Sequence, residues 1–174
     1  MPALHTPVTA SDHIQGQENA TIVLVEYGDY QCPHCGRAYP IVKRVQKHFG
    51  RKLAFVFRNF PLRESHPDAQ TAAETAEFAG THGRFWEMHD ALFENQESFG
   101  LPLFLNLAEA LSLSADELEE ALTSGEYAPR VQADFIGGVR SGVNGTPSFF
   151  INGQRHDGPF EYENLVQAIE SQLK

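Results

Sequence analysis

Cysteine is scarce in this chain. Its 174 residues contain two, Cys32 and Cys35, whereas a disulfide-stapled scaffold spreads several along its length. With only this close pair, a catalytic role is expected over a structural one. Long apolar runs are also missing: none approaches the roughly 20 residues that a membrane-spanning helix needs, so membrane insertion is not expected. No block of lysine or arginine stands out, and the formal net charge is −10. That balance excludes the electrostatic footprint of a nucleic-acid binder and disfavours anionic lipid surfaces. The first twenty residues have neither a positively charged start nor a continuous apolar stretch, so they do not read as a secretory signal. Taken as it stands, the chain is expected in the cytoplasm, or in a periplasmic or other extracytoplasmic space had a leader been removed.

Apolar residues are plentiful. They make up 41% of the chain, including thirteen phenylalanines, enough for a core in which aromatic packing is prominent. Residues 21–27 are a nearly continuous β-branched and apolar run, the pattern of a strand buried on both faces. After a short turn comes a helical pattern with Tyr39, Val42, Val45, Gln46 and Phe49 at spacings of three and four, and Gly50 as its stop. Residues 53–60 read as a second strand closed by Pro61. Strand, helix and strand within about 40 residues make a βαβ unit, so the two strands should run parallel.

Residues 66–142 read as helices throughout. Stripes are expected from Phe85, Met88, Leu92 and Phe93, then from Leu103, Leu107 and Leu111. Ser114 to Glu117 is a capping box, and a last helix runs from about Tyr127 with Val131, Phe135 and Val139 on one face. The block is too long for a loop and is read as an insertion. Residues 148–151 and 154–156 flank Asn152-Gly153, a strong hairpin signal, and residues 160–173 close the chain as an amphipathic helix. The expected organisation is an N-terminal arm over 1–18, a βαβ half over 19–63, a helical insertion over 64–142 and a ββα half over 143–174. Its fold class is α/β.

A Cys-x-x-Cys at a strand–helix junction places Cys32 at a helix N-terminus, where the macrodipole and free N–H groups stabilise a thiolate. Cys35 then lies within reach as the resolving thiol. Pro33 suits the first helical turn, since its missing N–H costs nothing there. His34, when protonated, adds positive charge beside the sulfur. Zinc would require about four ligands, and no second Cys/His cluster has matching spacing, so no metal is expected. Glu26 is an acid inside a strand that is otherwise apolar. It is either a buried carboxyl of raised pKa that exchanges a proton with Cys35, or a strand-end acid reaching solvent. Thr146-Pro147, directly before a strand, is where a cis bond would turn the backbone edge of residue 146 toward substrate. The alternative is an ordinary trans strand-entry proline.

These pieces together resemble the DsbA-like branch of the thioredoxin superfamily. The matching segments are Val25-Glu26-Tyr27 with Cys32-Pro33-His34-Cys35, Arg58 to Leu62 with His66-Pro67, and Gly142 to Pro147 with Phe149 to Gly153. The resemblance implies a thioredoxin fold with a helical lid facing the active site, a cis Pro147, and Glu26 as the buried acid. It also implies disulfide exchange with protein or peptide thiols. No cofactor beyond the redox-active disulfide is implied, and glutathione is a candidate electron partner. The physiological redox partner and the direction of electron flow stay open.

Two other functions fit the same fold: a redox-inert adaptor presenting the Thr146-Pro147 edge, and, more distantly, a glutathione-dependent transferase or isomerase. The intact cysteine pair argues against both. His66 could lie near the active site but is read first as a helix-start or packing histidine. Phe85, Trp86 and Phe93 are read as core and His82 and His89 as surface or core. Gly137-Gly138 marks close packing or a hinge.

Overall fold

The computed structural model describes residues 2–173. Its centre is a five-stranded sheet of order β1-β3-β2-β4-β5. Strands β2 (Ile22–Gly28) and β3 (Leu53–Asn59) are parallel, with Ile22 opposite Leu53 and Gly28 opposite Asn59. Helix α1 (Pro33–Phe49) makes the crossover between them, as the spacing of apolar residues predicts. Strand β4 (Ser148–Ile151) returns antiparallel on the other side of β2 and forms a hairpin with β5 (Gln154–His156). Asn152 and Gly153 turn that hairpin at φ 48° and 84°, the left-handed pair that a two-residue turn demands.

Between β3 and β4 lie α2 (Ala69–Thr81), α3 (Phe85–Glu94), α4 (Leu101–Ala110), α5 (Ala115–Ser124) and α6 (Ala128–Arg140), the expected helical insertion. Ser114 caps α5 by accepting the Glu117 N–H at 3.1 Å. Helix α7 (Tyr162–Gln172) ends the chain. One face of the sheet, with Ile22, Leu24, Phe55, Phe57, Phe149 and Ile151, packs on α1, α7 and the insertion. The other face, with Val25, Tyr27, Val56 and Phe150, lies under Leu4, Val8 and Phe135.

Three expectations need correcting. The N-terminal segment is more than an arm. Residues His13–Gln15 form β1, antiparallel to β3, while Ala3 bridges to Gln154 at the opposite edge of the sheet. Arg58 anchors this crossing: its guanidinium donates to Asp12 and to the carbonyls of Thr6 and Pro7. Helix α4 buries Phe104 and Ala108, while Leu103, Leu107 and Leu111 are only partly covered. Helix α6 presents Val131, Gly137 and Gly138 to the core and leaves Val139 53% exposed. The glycines set this rotation, since a Cβ at Gly138 would stand 2.7 Å from the Phe60 ring and 3.0 Å from Tyr27. Gly137-Gly138 is therefore a close-packing surface, and α6 runs through it unbroken.

Candidate active site

Strand β2 ends at Gly28, and residues 29–32 turn the chain into α1. Cys32 is the residue flanking the first helical turn, and Pro33 occupies that turn. Both cysteines are free and buried. The two thiols are tuned in opposite directions. Donation from the Cys35 thiol, working against burial, and then from the Thr146 hydroxyl and the backbone N–H groups of Cys35 and His34, brings Cys32 from 9.0 to about 5. Burial pushes Cys35 well above the ordinary thiol range, and its own bond to Cys32 adds to this. His34 acts on the sulfur through its backbone N–H, while its side chain is exposed.

Glu26 is 3% exposed, and its Oε2 is buried without a hydrogen-bond partner. Burial, reinforced by the Cys32 charge, raises its carboxyl to about 8. Beside it is a cavity of about 10 Å³ lined in part by Gln15, Lys43, Gln46 and His89. That is close to the space one water occupies. Of the two placements the sequence leaves open, Glu26 occupies the buried one.

Beside Cys32, the Thr146–Pro147 bond is cis. The Thr146 carbonyl accepts from Cys32 Sγ at 3.7 Å, and the Thr146 hydroxyl is buried. Next to Pro147, a polar cavity of about 260 Å³ is bounded by Asn144, Ser148, His156 and Phe160.

The insertion reaches this site through residues that the sequence reading did not single out. Gln96 Nε2 donates to the carbonyls of Tyr30 and Cys32 at 2.8 and 2.9 Å. It can do so because residue 36 is glycine; a Cβ there would fall on the Gln96 amide. Gln31 accepts the Asp68 N–H at 2.7 Å. Asp29 collects donors from the redox turn and from the loop before α2, among them His66. An Asp three positions before the nucleophile is a local turn signal that could have been read. The reach of Gln96 has no such signal. His66 lies in the loop three residues before α2, and its ring is bonded to Asp29 in the active-site turn. The Tyr30 hydroxyl and His89 Nδ1 share a hydrogen bond of 2.8 Å within an aromatic cluster that includes Phe57 and Phe93. Among the described residues, no group of three or more His, Cys, Asp or Glu is placed to hold a metal, and no helix is long and apolar enough to cross a membrane.

Comparison with known proteins agrees with this geometry. Residues 8–171 match the Thioredoxin family in its Thioredoxin_4 form. The chain is 43% identical over 160 residues to the Na(+)/H(+) antiporter NhaA 1 of Salinispora arenicola, covering 92% of this chain and 24% of that one. A Mycobacterium NhaA 1 is 38% identical over 162 residues, covering 26% of its length. The chain thus spans about a quarter of these curated relatives. Among solved structures, oxidised BdbD of Bacillus subtilis superposes with a TM-score of 0.85 at 25% identity, covering 93% of this chain and 92% of BdbD. The catalytic domain of Proteus mirabilis ScsC shares the fold at a TM-score of 0.80 and 19% identity, covering 98% and 92%.

Proposed function

The chain belongs to the DsbA-like branch of the thioredoxin family, and on that premise we propose that it is a thiol–disulfide oxidoreductase acting on protein or peptide thiols through Cys32 and Cys35. One observation carries this reading: two free thiols, three residues apart at the start of α1, have the Thr146 carbonyl 3.7 Å from Cys32 Sγ, and their surroundings tune them in opposite directions. A low-pKa Cys32 is a good leaving group and a ready nucleophile near neutral pH, and a high-pKa Cys35 stays protonated until needed.

In the oxidising direction, a substrate thiolate attacks Cys32 Sγ in the Cys32–Cys35 disulfide. The S–S bond breaks, a mixed disulfide forms at Cys32, and the electron pair leaves on Cys35. A second substrate thiolate then attacks the substrate sulfur and releases the Cys32 thiolate. Two electrons pass to the pair, and the substrate gains one disulfide. Glu26, buried, protonated near neutral pH and coupled electrostatically to both thiols, supplies the proton that the departing Cys35 takes up, in the manner of a general acid. The Thr146 carbonyl, next to Cys32 Sγ, is the backbone group an extended substrate would pair with. Stabilising the Cys32 thiolate favours the reduced form, which supports an electron-accepting role. Relatives that carry this module within chains named as Na(+)/H(+) antiporters lead us to count membrane transporters among its candidate protein partners.

Equilibration with glutathione tests the proposal. A reversible Cys32–Cys35 disulfide with a potential nearer the about −120 mV of DsbA than the about −270 mV of thioredoxin is expected. A protein that neither forms this disulfide nor exchanges it with a dithiol would leave only the adaptor function.

A further inference from the structure

We propose that Asp29 and His66 act as a coupled pair of positioning residues for the exchange step: the carboxylate fixes the Cys32 turn, and the imidazole fixes the carboxylate. This inference rests on the thiol–disulfide reading above and adds residues that the reading does not use.

The Asp29 side chain is fully buried and has four donors. Oδ1 accepts the backbone N–H groups of Gln31 and Cys32 at 2.8 and 3.2 Å. Oδ2 accepts the Leu62 N–H at 2.9 Å and His66 Nδ1 at 2.8 Å. A carboxylate offers about four lone-pair sites, so this one is saturated. Its own backbone N–H points at Cys35 Sγ, 3.4 Å away. One residue therefore holds the Cys32 amide with its side chain and offers a donor to the Cys35 sulfur with its backbone. The sulfur that receives the electron pair in the exchange is the one this N–H faces.

The four bonds to Asp29 are not equivalent. His66 is the one side chain among its four donors; the other three are backbone groups that substitution cannot withdraw. Its hydrogen bond fixes Oδ2, so that Oδ1 stays on the Cys32 amide. Without that donor, Oδ2 is held to the loop before α2 by the Leu62 N–H alone, and the carboxylate is less firmly set against the Cys32 turn. A looser turn orients the backbone N–H groups facing Cys32 less well, which disfavours its thiolate.

His66→Ser removes the donor at a partly exposed loop position, and His66→Asn restores an N–H close to that of Nδ1. The readouts are the pH profile of Cys32 alkylation and the exchange equilibrium with glutathione, with thermal melts recording the fold. His66→Ser should move the alkylation midpoint upward, so that labelling just below the wild-type midpoint slows by about tenfold, the equivalent of one pKa unit. His66→Asn should stay within about twofold of wild type on the same scale. Asp29→Asn and the Asp29→Asn/His66→Ser double variant should show equal losses, because either change breaks the same couple. Unchanged profile and equilibrium in folded His66→Ser, or losses that add in the double variant, would overturn the proposal and leave His66 a structural loop residue. A wild-type protein that does not exchange with glutathione would instead defeat the thiol–disulfide reading itself, so the two failures are distinguishable.

Discussion

Cys32 and Cys35 share one turn of helix and differ in surroundings, and that difference is measurable. Iodoacetamide labelling of the reduced protein should follow a titration centred near pH 5 at Cys32, while Cys35 stays unlabelled through neutrality. A Cys32 that titrates like a free thiol, at about 8.5, would remove the basis of the proposed chemistry. Glu26 gives a second expectation with a definite sign. Its folded pKa of about 8 lies above the ordinary 4.5 of an exposed glutamate, so the folded state keeps a proton that the unfolded state releases. Its contribution is fully present below pH 4.5 and is lost as pH rises through about 8. Glu26→Gln should therefore stabilise the reduced protein at pH 7 by about 2–3 kcal/mol and have little effect at pH 4. Urea unfolding at the two pH values checks this, and equal stability changes at both would show that the carboxyl is not held neutral.

At the scale of elements, the insertion is coupled to the sheet by close approach, not by side-chain interdigitation alone. Helix α6 lies so near Phe60 and Tyr27 that Gly138 has no room for a methyl group. Gly138→Ala gains helix propensity of up to about 1 kcal/mol, yet overpacking of this kind costs about 1–3 kcal/mol. The expected net result is a lower melting temperature, and an increase would mean that α6 can lift away freely. Helix α5 depends on a simpler local device. Ser114→Ala removes the acceptor of the Glu117 N–H and should cost about 1 kcal/mol, read as a shift in the denaturation midpoint at constant slope.

Across the whole molecule, one buried polar network ties the arm, the sheet and the insertion together. Asn59, at the end of β3, donates from its side chain to Glu77 of α2 at 2.8 Å and to Asp134 of α6 at 2.9 Å. His13 of β1 meets the same Glu77 at 2.9 Å, and Arg130 reaches the Ser11 carbonyl at 2.8 Å. Burial raises Asp134 to about 6. Burial also penalises Glu77, but the hydrogen bond and charge of His13 bring it below its ordinary value. Removing Asn59 leaves two buried carboxylates short of a donor, at about 1–3 kcal/mol each. Asn59→Ala should therefore lose hydrogen-exchange protection first in α2 and α6, with β2 and β3 protected longer. Uniform loss across all elements would show that the network does not set the docking of the insertion.

Local spacing was enough to place the parallel pair β2 and β3, the hairpin at Asn152-Gly153, the cap at Ser114, and a cysteine pair at a strand–helix junction. Each depends on residues within one element or one turn, where periodicity and backbone preference act directly. Glu26 was visible as an acid in an apolar strand, but only the packed sheet buried it. Tertiary structure decided the rest of the site. The bond from His66 to Asp29 spans 37 residues, that from Gln96 to the Cys32 carbonyl spans 64, and that from Cys32 to the Thr146 carbonyl spans 114. No periodicity encodes such contacts, because the intervening chain must first collapse around the sheet. The same reason hid β1 and turned Val139 outward. A three-residue polar strand forms only where the open edge of β3 offers unpaired backbone groups, and the face that α6 buries was set by the fit of Gly138 against Phe60 and Tyr27.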